Sequence, residues 1–298
     1  MNVQVNAFDP AYDFSVTGVS YAGKPRDNTV MYVAKKVERL LANLENAAHC
    51  LVFAEDSIIV PETLRQKHCF VMTSTPQADY ASFIIEATRE ETEAERKKKY
   101  TLTEGGYYVG ENVTIGENAY IEPGVLLGHG VTIGSDATIL SGAVIKHAVI
   151  GDHFYCNEHA VVGGNGFVMT EDREGNKYRI PNAGRVLIGD HVEIGISNCI
   201  SRGSVSDTVI EDHVKISAFC KMAHDSHIGR NTEITAGCAV GGFSVIGERC
   251  FLGMNSSVRN RITLGDGCFI GMGSVVVRDV ESGLTVCGNP ARPLVKEQ

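Results

Sequence analysis

The sequence lacks the signals that mark several classes of protein. None of its apolar runs reaches about 18 residues, and its start has no basic end followed by an apolar stretch. The formal net charge of −9 gives no electrostatic basis for binding nucleic acid. The nine cysteines form no CxxC pair, which argues against a zinc knuckle or a disulfide framework. We therefore expect a cytoplasmic protein with no membrane span and no nucleic-acid partner.

What the sequence does contain is a six-residue period. From residue 109 to 276 an aliphatic residue recurs at every sixth position, with one single-residue slip at Ile150 and two longer breaks. Neither a helix of 3.6 residues per turn nor an alternating strand has this period, whereas a hexapeptide parallel β-helix does. The longest unbroken run has twelve positions: Ile210, Ile216, Met222, Ile228, Ile234, Val240, Ile246, Leu252, Val258, Leu264, Ile270 and Val276.

Each six-residue unit also has a small or β-branched residue four positions after the aliphatic one. This pattern resembles the left-handed β-helix, in which three short strands form one triangular coil of about 18 residues. We predict a mainly β fold, a left-handed parallel β-helix of about eight coils. Four cysteines occupy the small position and are expected to be buried small hydrophobes: Cys220, Cys238, Cys250 and Cys268.

The N-terminal third lacks the six-residue period and has a different pattern of apolar residues, which predicts a separate domain. Residues 32–44 have helical spacing, 50–55 and 69–74 suit buried strands, and Pro76 begins a second helical segment. We predict three regions: a small α/β domain with a charged linker (1–99), the β-helix with a loop at 163–187 (100–287), and a short tail (288–298).

Two interruptions of the period are the places where function is expected. The first is the loop 163–187, and the second is the ten-residue spacing between Ile200 and Ile210. Loops that leave a rigid solenoid usually carry binding residues, although they also serve to grip a neighbouring subunit.

Four segments, in this order and spacing, resemble the UDP-3-O-(3-hydroxyacyl)glucosamine N-acyltransferases of lipid A synthesis. They are GGNGF (163–167), RIPNAGRVLIGDHVEIG (179–195), SRGSVSDTVI (201–210) and KMAHDSHIG (221–229). A fifth, TPQADYASF (75–83), is similar to a segment of that family's uridine-binding N-terminal domain. The resemblance implies a homotrimer that transfers an acyl group from acyl carrier protein to the amine of a nucleotide-linked amino sugar, with no permanently bound cofactor. It implies substrate contacts at Asn165, Gly166, Phe167, Pro181, Asn182 and Tyr80.

The same resemblance implies that His224 is the catalytic base, since it occupies the histidine of the AHDSHIG motif. The period independently places His224 at the outer edge of a coil corner, two residues after Met222. Asp225 follows it directly, which suits a role in orienting the imidazole ring or stabilising its protonated form and equally suits a solvated acid. One coil of about 18 residues further on lies Gly242, whose N–H is expected to bind the oxyanion of the tetrahedral adduct. Transfer is expected to be direct, without an acyl-cysteine intermediate.

Several departures from the family pattern leave the donor open. Asn165 and Ser201 stand where the family has acids, the family's helical C-terminal extension is not found, and GNPAR (288–292) resembles acetyl-coenzyme A-dependent sugar N-acetyltransferases. The alternative is therefore an acetyl- or short-acyl-coenzyme A-dependent N-acetyltransferase that modifies a UDP- or dTDP-amino sugar for a surface polysaccharide.

Two further classes are disfavoured. A metal enzyme similar to the γ-class carbonic anhydrases would need converging histidines. However, His147, His153 and His159 recur every six residues and so fall on different sides of a coil. No metal site is predicted. A non-catalytic scaffold is disfavoured because the AHDSHIG and GGNGF elements are present.

Overall fold

The computed structural model describes residues 1–172 and 174–294, which divide into two compact units. Unit 1 contains Met1–Lys97 and Phe167–Ala183, and unit 2 contains Lys98–Gly166 and the described residues from Gly184 onwards. No helix in this described part of the chain is long and apolar enough to cross a bilayer.

Unit 2 is a parallel β-helix with three faces, and it confirms the predicted left-handed fold. Within the described residues the faces hold ten, eight and ten strands. Face 1 has Thr101–Leu102, Tyr108–Val109, Leu126–Leu127, Val144–Ile145, Val161–Gly164, Cys199–Ser201, Lys221–Met222, Ala239–Val240, Ser257–Val258 and Val275–Val276. Face 2 has Thr114–Ile115, Thr132–Ile133, Ala148–Ile150, Val186–Ile188, Thr208–Ile210, His227–Ile228, Val245–Ile246 and Thr263–Leu264. Face 3 has Tyr120–Ile121, Thr138–Ile139, Tyr155–Cys156, Glu193–Ile194, Lys215–Ile216, Glu233–Ile234, Phe251–Leu252, Phe269–Ile270, Thr285–Cys287 and Arg292–Pro293.

The aliphatic residue of each unit ends a two- or three-residue strand and points inward. Ile194, Ile210, Ile246 and Leu252 are fully buried, and the four cysteines at the small position are buried as predicted. Each such aliphatic side chain contributes about 1.5–3 kcal/mol by leaving water. The stacked coils therefore supply the core that one coil alone cannot form.

The ladder of face 2 continues in register through both interruptions of the period, whereas the register on face 1 shifts between Val162 and Gly164, where the first interruption begins. On face 2, Ile150 pairs with Ile188, and Ile188 pairs with Ile210. Because the strands of face 2 stay paired, the extra residues leave the coil without breaking that ladder. Both interruptions lie between a strand of face 1 and the following strand of face 2, which we call the 1–2 corner.

Unit 1 contains a four-stranded parallel sheet, whose strands in order are Gly18–Val19, Thr29–Val33, Leu51–Glu55 and Cys69–Thr73. A two-stranded antiparallel pair joins Val3–Gln4 to Ser15–Val16. The 3₁₀ segments are Val5–Ala7 and Lys35–Asn46, and the α-helices are Glu62–Arg65, Pro76–Ala87 and Arg89–Lys97. An antiparallel hairpin, Met169–Glu171 with Lys177–Arg179, completes the unit.

Three of the predicted boundaries need correction. The loop 163–187 was placed with the β-helix, yet residues 167–183 belong to unit 1, where the Tyr178 hydroxyl donates to the carbonyl of Ala78 over 2.8 Å. Residues 32 and 33 lie in a strand, because their backbone pairs with the neighbouring Leu51–Glu55 strand. The predicted tail also contributes a strand, since Arg292–Pro293 pairs antiparallel with Thr285–Cys287; the last four residues lie outside the described chain.

Candidate active site

The 1–2 corner of unit 2 collects the catalytic residues predicted from the sequence. His224 and Asp225 lie between the strands Lys221–Met222 and His227–Ile228. Gly242 occupies the same corner one coil further along, between Ala239–Val240 and Val245–Ile246. The ladder pairs Met222 with Val240, which places the two corners directly next to each other.

His224 and Asp225 form a hydrogen-bonded pair. The distance from Nδ1 of His224 to Oδ2 of Asp225 is 2.7 Å. The His224 side chain is 17% exposed and that of Asp225 is fully buried, so the ring alone can meet a ligand. This hydrogen bond assigns the Nδ1–H tautomer, which leaves the lone pair of Nε2 available to accept a proton.

The Asp225 carboxylate is held by the second interruption of the period. Three consecutive N–H groups, from Ser204 to Ser206, and the hydroxyls of both serines donate to it over 2.5 to 3.1 Å. Burial alone would raise the pKa of Asp225, but the hydrogen bonds from His224, Ser204 and Ser206 outweigh burial and lower the pKa to about 2. Asp225 is therefore a permanent carboxylate at neutral pH.

Gly242 lies against the His224 ring. A Cβ atom added to Gly242 would lie 2.8 Å from Cε1 and 2.9 Å from Nε2 of His224. In the described part of the chain no group accepts a hydrogen bond from the Gly242 N–H. A donor without a partner, next to the nitrogen of a base, suits an oxyanion that forms there.

Two further residues of this corner were missed by the sequence analysis. The Phe243 ring meets the His224 ring edge-on, with centroids 5.4 Å apart, and the guanidinium of Arg261 lies 4.3 Å from the Phe243 ring centroid. The coil period could have found them, because stepping by 18 from Asp225 leads to Phe243 and Arg261. Ser204 and Ser206 carried no signal beyond their place in the interruption.

The residues predicted to bind the sugar are divided between the units. Asn165 and Gly166 end the first part of unit 2, whereas Phe167 begins the unit 1 segment and is 74% exposed. Pro181 and Asn182 lie at the end of that segment, just before Ala183, and both polar atoms of the Asn182 carboxamide are buried without a hydrogen-bond partner among the described residues. An unpaired buried amide of this kind is a candidate for ligand recognition.

Tyr80 is the site prediction that the structure does not support. It is 2% exposed, and its ring lies 5.3 Å from that of Tyr32 within unit 1. The α-helix Pro76–Ala87 turns this face of the chain towards the sheet, so Tyr80 packs in the core and presents no surface to a ligand.

Neither a cysteine nucleophile nor a metal centre is formed by the described residues. Eight cysteines are buried or partly buried, and burial raises the pKa of Cys156 to about 12. No group of three or more histidine, cysteine or acidic side chains in the described chain could hold a metal ion. His227 of the AHDSHIG motif pairs instead with Glu211 on face 2, over 2.7 Å.

A groove of about 390 Å³ lies on face 1 beside the corner. Its lining includes Ala223 and Gly241, the residues directly before His224 and Gly242. Lys221 and Arg259 bring two positive charges to it, and the remaining lining is mostly small and aliphatic. The groove therefore combines an apolar floor with cationic side chains next to the candidate base.

Comparison with known families identifies the repeats. The bacterial transferase hexapeptide (six repeats) family matches residues 112–147, 207–242 and 243–278. The UDP-3-O-acylglucosamine N-acyltransferase 2 of Legionella pneumophila (strain Lens) is 44% identical over 85 residues, which is 28% of this chain and 24% of that protein. The UDP-3-O-acylglucosamine N-acyltransferase of Coxiella burnetii (strain Dugway 5J108-111) is 45% identical over 83 residues, with the same coverage. The chain thus matches about a quarter of the length of these relatives.

Two solved structures share the fold. LpxA from Acinetobacter baumannii superposes with a TM-score of 0.59 at 23% identity, over 65% of this chain and 74% of that one. UDP-N-acetylglucosamine O-acyltransferase from Moraxella catarrhalis gives a TM-score of 0.57 at 24% identity, over 63% and 72%. The protein therefore carries bacterial transferase hexapeptide repeats on a left-handed β-helix, and its predicted resemblance to the UDP-3-O-acylglucosamine N-acyltransferases is confirmed.

Proposed function

We propose that this protein is an N-acyltransferase that moves an acyl group from a thioester to the amine of a UDP-linked amino sugar. The observation that carries the proposal is the hydrogen-bonded His224–Asp225 pair beside Gly242, whose N–H has no acceptor among the described residues. A base and an oxyanion donor side by side are what acyl transfer to an amine requires. The names of the curated relatives support the sugar and the amine as acceptor.

The mechanism is a direct transfer. The neutral amine attacks the thioester carbonyl. Nε2 of His224 takes a proton from the amine nitrogen as the new C–N bond forms. Asp225 accepts the hydrogen bond from Nδ1 and stabilises the imidazolium that forms. The Gly242 N–H donates to the oxyanion. As the adduct collapses the C–S bond breaks, and the departing sulfur takes the proton from Nε2 of His224 and leaves as the thiol. One such oxyanion donor is worth about 2.7–4 kcal/mol of the barrier.

The donor is a thioester of acyl carrier protein or of coenzyme A. Both end in a phosphopantetheine arm, and the groove on face 1 offers Lys221 and Arg259 for its phosphate, with small apolar residues for the remainder. Because both thioesters present the same arm, both enter the test.

The acceptor is assigned to the segment that leaves the 1–2 corner. Asn165, Gly166, Phe167 and Pro181 supply candidate contacts, and the unpaired amide of Asn182 supplies both a donor and an acceptor. The protein acts as a homotrimer in the cytoplasm, as its resemblance to the lipid A N-acyltransferases implies, and no resident cofactor takes part.

A panel of thioesters tests the proposal. Acyl carrier protein and coenzyme A thioesters with long and short chains are offered with UDP- and dTDP-linked amino sugars, and thiol release is recorded. His224→Ala is expected to lower kcat/KM about 10²–10⁴-fold with the productive pair.

His213→Ala is the matched control, because His213 is also a corner histidine but stacks on His191 elsewhere in unit 2. Near wild-type turnover by His224→Ala would refute the assignment of the base. A productive coenzyme A thioester with a short chain, and none with acyl carrier protein, would select the acetyltransferase alternative.

A further inference from the structure

The short insertion 201–207 is longer than a coil corner requires, since the ladder of face 2 continues in register past it. We propose that Ser204 and Ser206 in this insertion are positioning residues, which fix Asp225 and thereby hold His224 in the tautomer and orientation needed for catalysis. The inference rests on the proposed function, because it presumes that His224 is the base.

The contacts of the carboxylate divide evenly between its two oxygens. Oδ2 accepts from the N–H of Ser204 at 2.9 Å, from its hydroxyl at 2.5 Å and from Nδ1 of His224 at 2.7 Å. Oδ1 accepts from the N–H groups of Val205 and Ser206 at 3.1 and 2.7 Å, and from the Ser206 hydroxyl at 2.8 Å. The insertion supplies five of these six donors, so it determines where the carboxylate lies.

Burial makes these donors necessary. The Asp225 side chain is fully buried, and an ionised carboxylate without partners is strongly disfavoured in such a place. Three successive N–H groups form a concave anion site, and the two hydroxyls close it. Without them the carboxylate would turn towards water or accept a proton, and either change removes the acceptor that keeps the proton on Nδ1.

Ser204 also reaches the base itself. Its hydroxyl oxygen lies 3.4 Å from Nδ1 of His224, so one hydroxyl touches both members of the pair. The Asp225 backbone is held as well, because its N–H donates to Oγ1 of Thr208 over 2.9 Å. The acid is thus fixed from both sides, and a fixed acceptor leaves the ring with one favoured orientation, with Nε2 beside Gly242.

The insertion is itself rigid at both ends. The Arg202 N–H donates to the carbonyl of Gly164 over 2.8 Å, and the Arg185 N–H donates to Asp207 over 2.7 Å. Between them Gly203 packs so closely that an added Cβ would lie 1.5 Å from the carbonyl oxygen of Ser206. Because the insertion is hydrogen-bonded at both ends and closely packed between them, it can hold the Asp225 carboxylate in one position.

The test combines Ser204→Ala and Ser206→Ala in one chain and reads the state of the His224 ring directly. The ¹⁵N shifts of ring-labelled histidine at pH 8.5 report the tautomer, and comparison with His224→Gln identifies the His224 signals. The wild type is expected to show mainly the Nδ1–H form. The double variant is expected to gain the Nε2–H form, and its kcat should fall about 10-fold with KM changed much less.

Two variants control for simple loss of a hydroxyl. Ser274→Ala removes a fully buried hydroxyl that accepts from the Gly288 N–H, three coils from the His224–Asp225 pair, and should leave the tautomer of His224 and kcat unchanged. Ser206→Thr keeps the hydroxyl at a half-buried position and should restore the wild-type tautomer relative to Ser206→Ala.

A folded double variant with the wild-type tautomer would overturn the inference, whatever its kcat. If the double variant does not fold, Ser206→Ala alone carries the same readout with a smaller expected change. The two hypotheses fail in different measurements. If the proposed function is wrong, the wild type shows no turnover, but the tautomer of His224 can still be measured.

Discussion

Replacing Gly242 by alanine is the most direct test of the close contact between Gly242 and the His224 ring. The new Cβ would lie 2.8 Å from Cε1 and 2.9 Å from Nε2 of His224, whereas ordinary contacts begin near 3.4 Å. Relief requires the ring to move by about 0.6 Å. The ring cannot simply retreat, because its Nδ1 is bonded to the buried Asp225 carboxylate over 2.7 Å. The movement must therefore lengthen that bond or tilt Nε2 away from the substrate.

A misplacement of about 1 Å at a reacting group can cost about 10²-fold in rate. For the smaller movement here we expect kcat/KM of Gly242→Ala to fall about 10- to 100-fold, or about 1.4–2.8 kcal/mol in the barrier. The backbone N–H is retained and the φ of Gly242 is not positive, but the added Cβ would also lie 3.1 Å from the backbone carbonyl oxygen of His224, so a small backbone shift accompanies the movement of the ring. The assay is thiol release with the productive pair of substrates, alongside the thermal unfolding midpoint.

Gly142→Ala is the matched control for Gly242→Ala. Gly142 is also a corner glycine that faces a histidine one coil later, with its added Cβ 2.3 Å from Nδ1 of the exposed His159. Its φ of +75° makes alanine costly by about 1 kcal/mol, so the unfolding midpoint should fall while kcat/KM stays unchanged. A folded Gly242→Ala protein with kcat/KM within about twofold of wild type would refute the proposed contact between Gly242 and the base.

Two other predictions follow from the buried charge and from the exposed thiol. The pKa of Asp225 is lowered from 3.8 to about 2, so its ionised form contributes about 2.5 kcal/mol of stability above pH 4, which is lost as the pH falls through 2. Asp225→Asn should therefore be less stable than wild type at pH 7 in urea unfolding, with the difference shrinking between pH 4 and pH 2; a constant difference would contradict this. All nine cysteines lie in the part of the chain that the structure describes, and Cys199 is the one that is exposed. Iodoacetamide should therefore modify Cys199 first. The Cys199→Ser protein should keep its turnover, since direct transfer needs no cysteine thiol of the enzyme. Loss of turnover would instead favour a mechanism with an acyl-cysteine intermediate.

The sequence was sufficient to predict the β-helix because the fold repeats a local rule. One aliphatic residue in six, followed by a small residue, describes the inside of every coil, and twelve consecutive positions such as Ile210 to Val276 leave no other regular structure. The same period led from His224 to Gly242, since positions one coil apart stack. Residues 32 and 33 were misassigned because an apolar run suits a buried strand or a helix equally well, and only pairing with a neighbouring strand decides.

The sequence by itself thus determined the repeat, the buried positions and the corner at which the candidate base lies. The tertiary structure decided what the interruptions of that repeat do. It folded 201–207 back onto Asp225, placed 167–183 in unit 1 and buried Tyr80. These outcomes depend on contacts between residues far apart in the chain, 21 positions for Ser204 and Asp225 and 100 positions for Ala78 and Tyr178, and no local period encodes them.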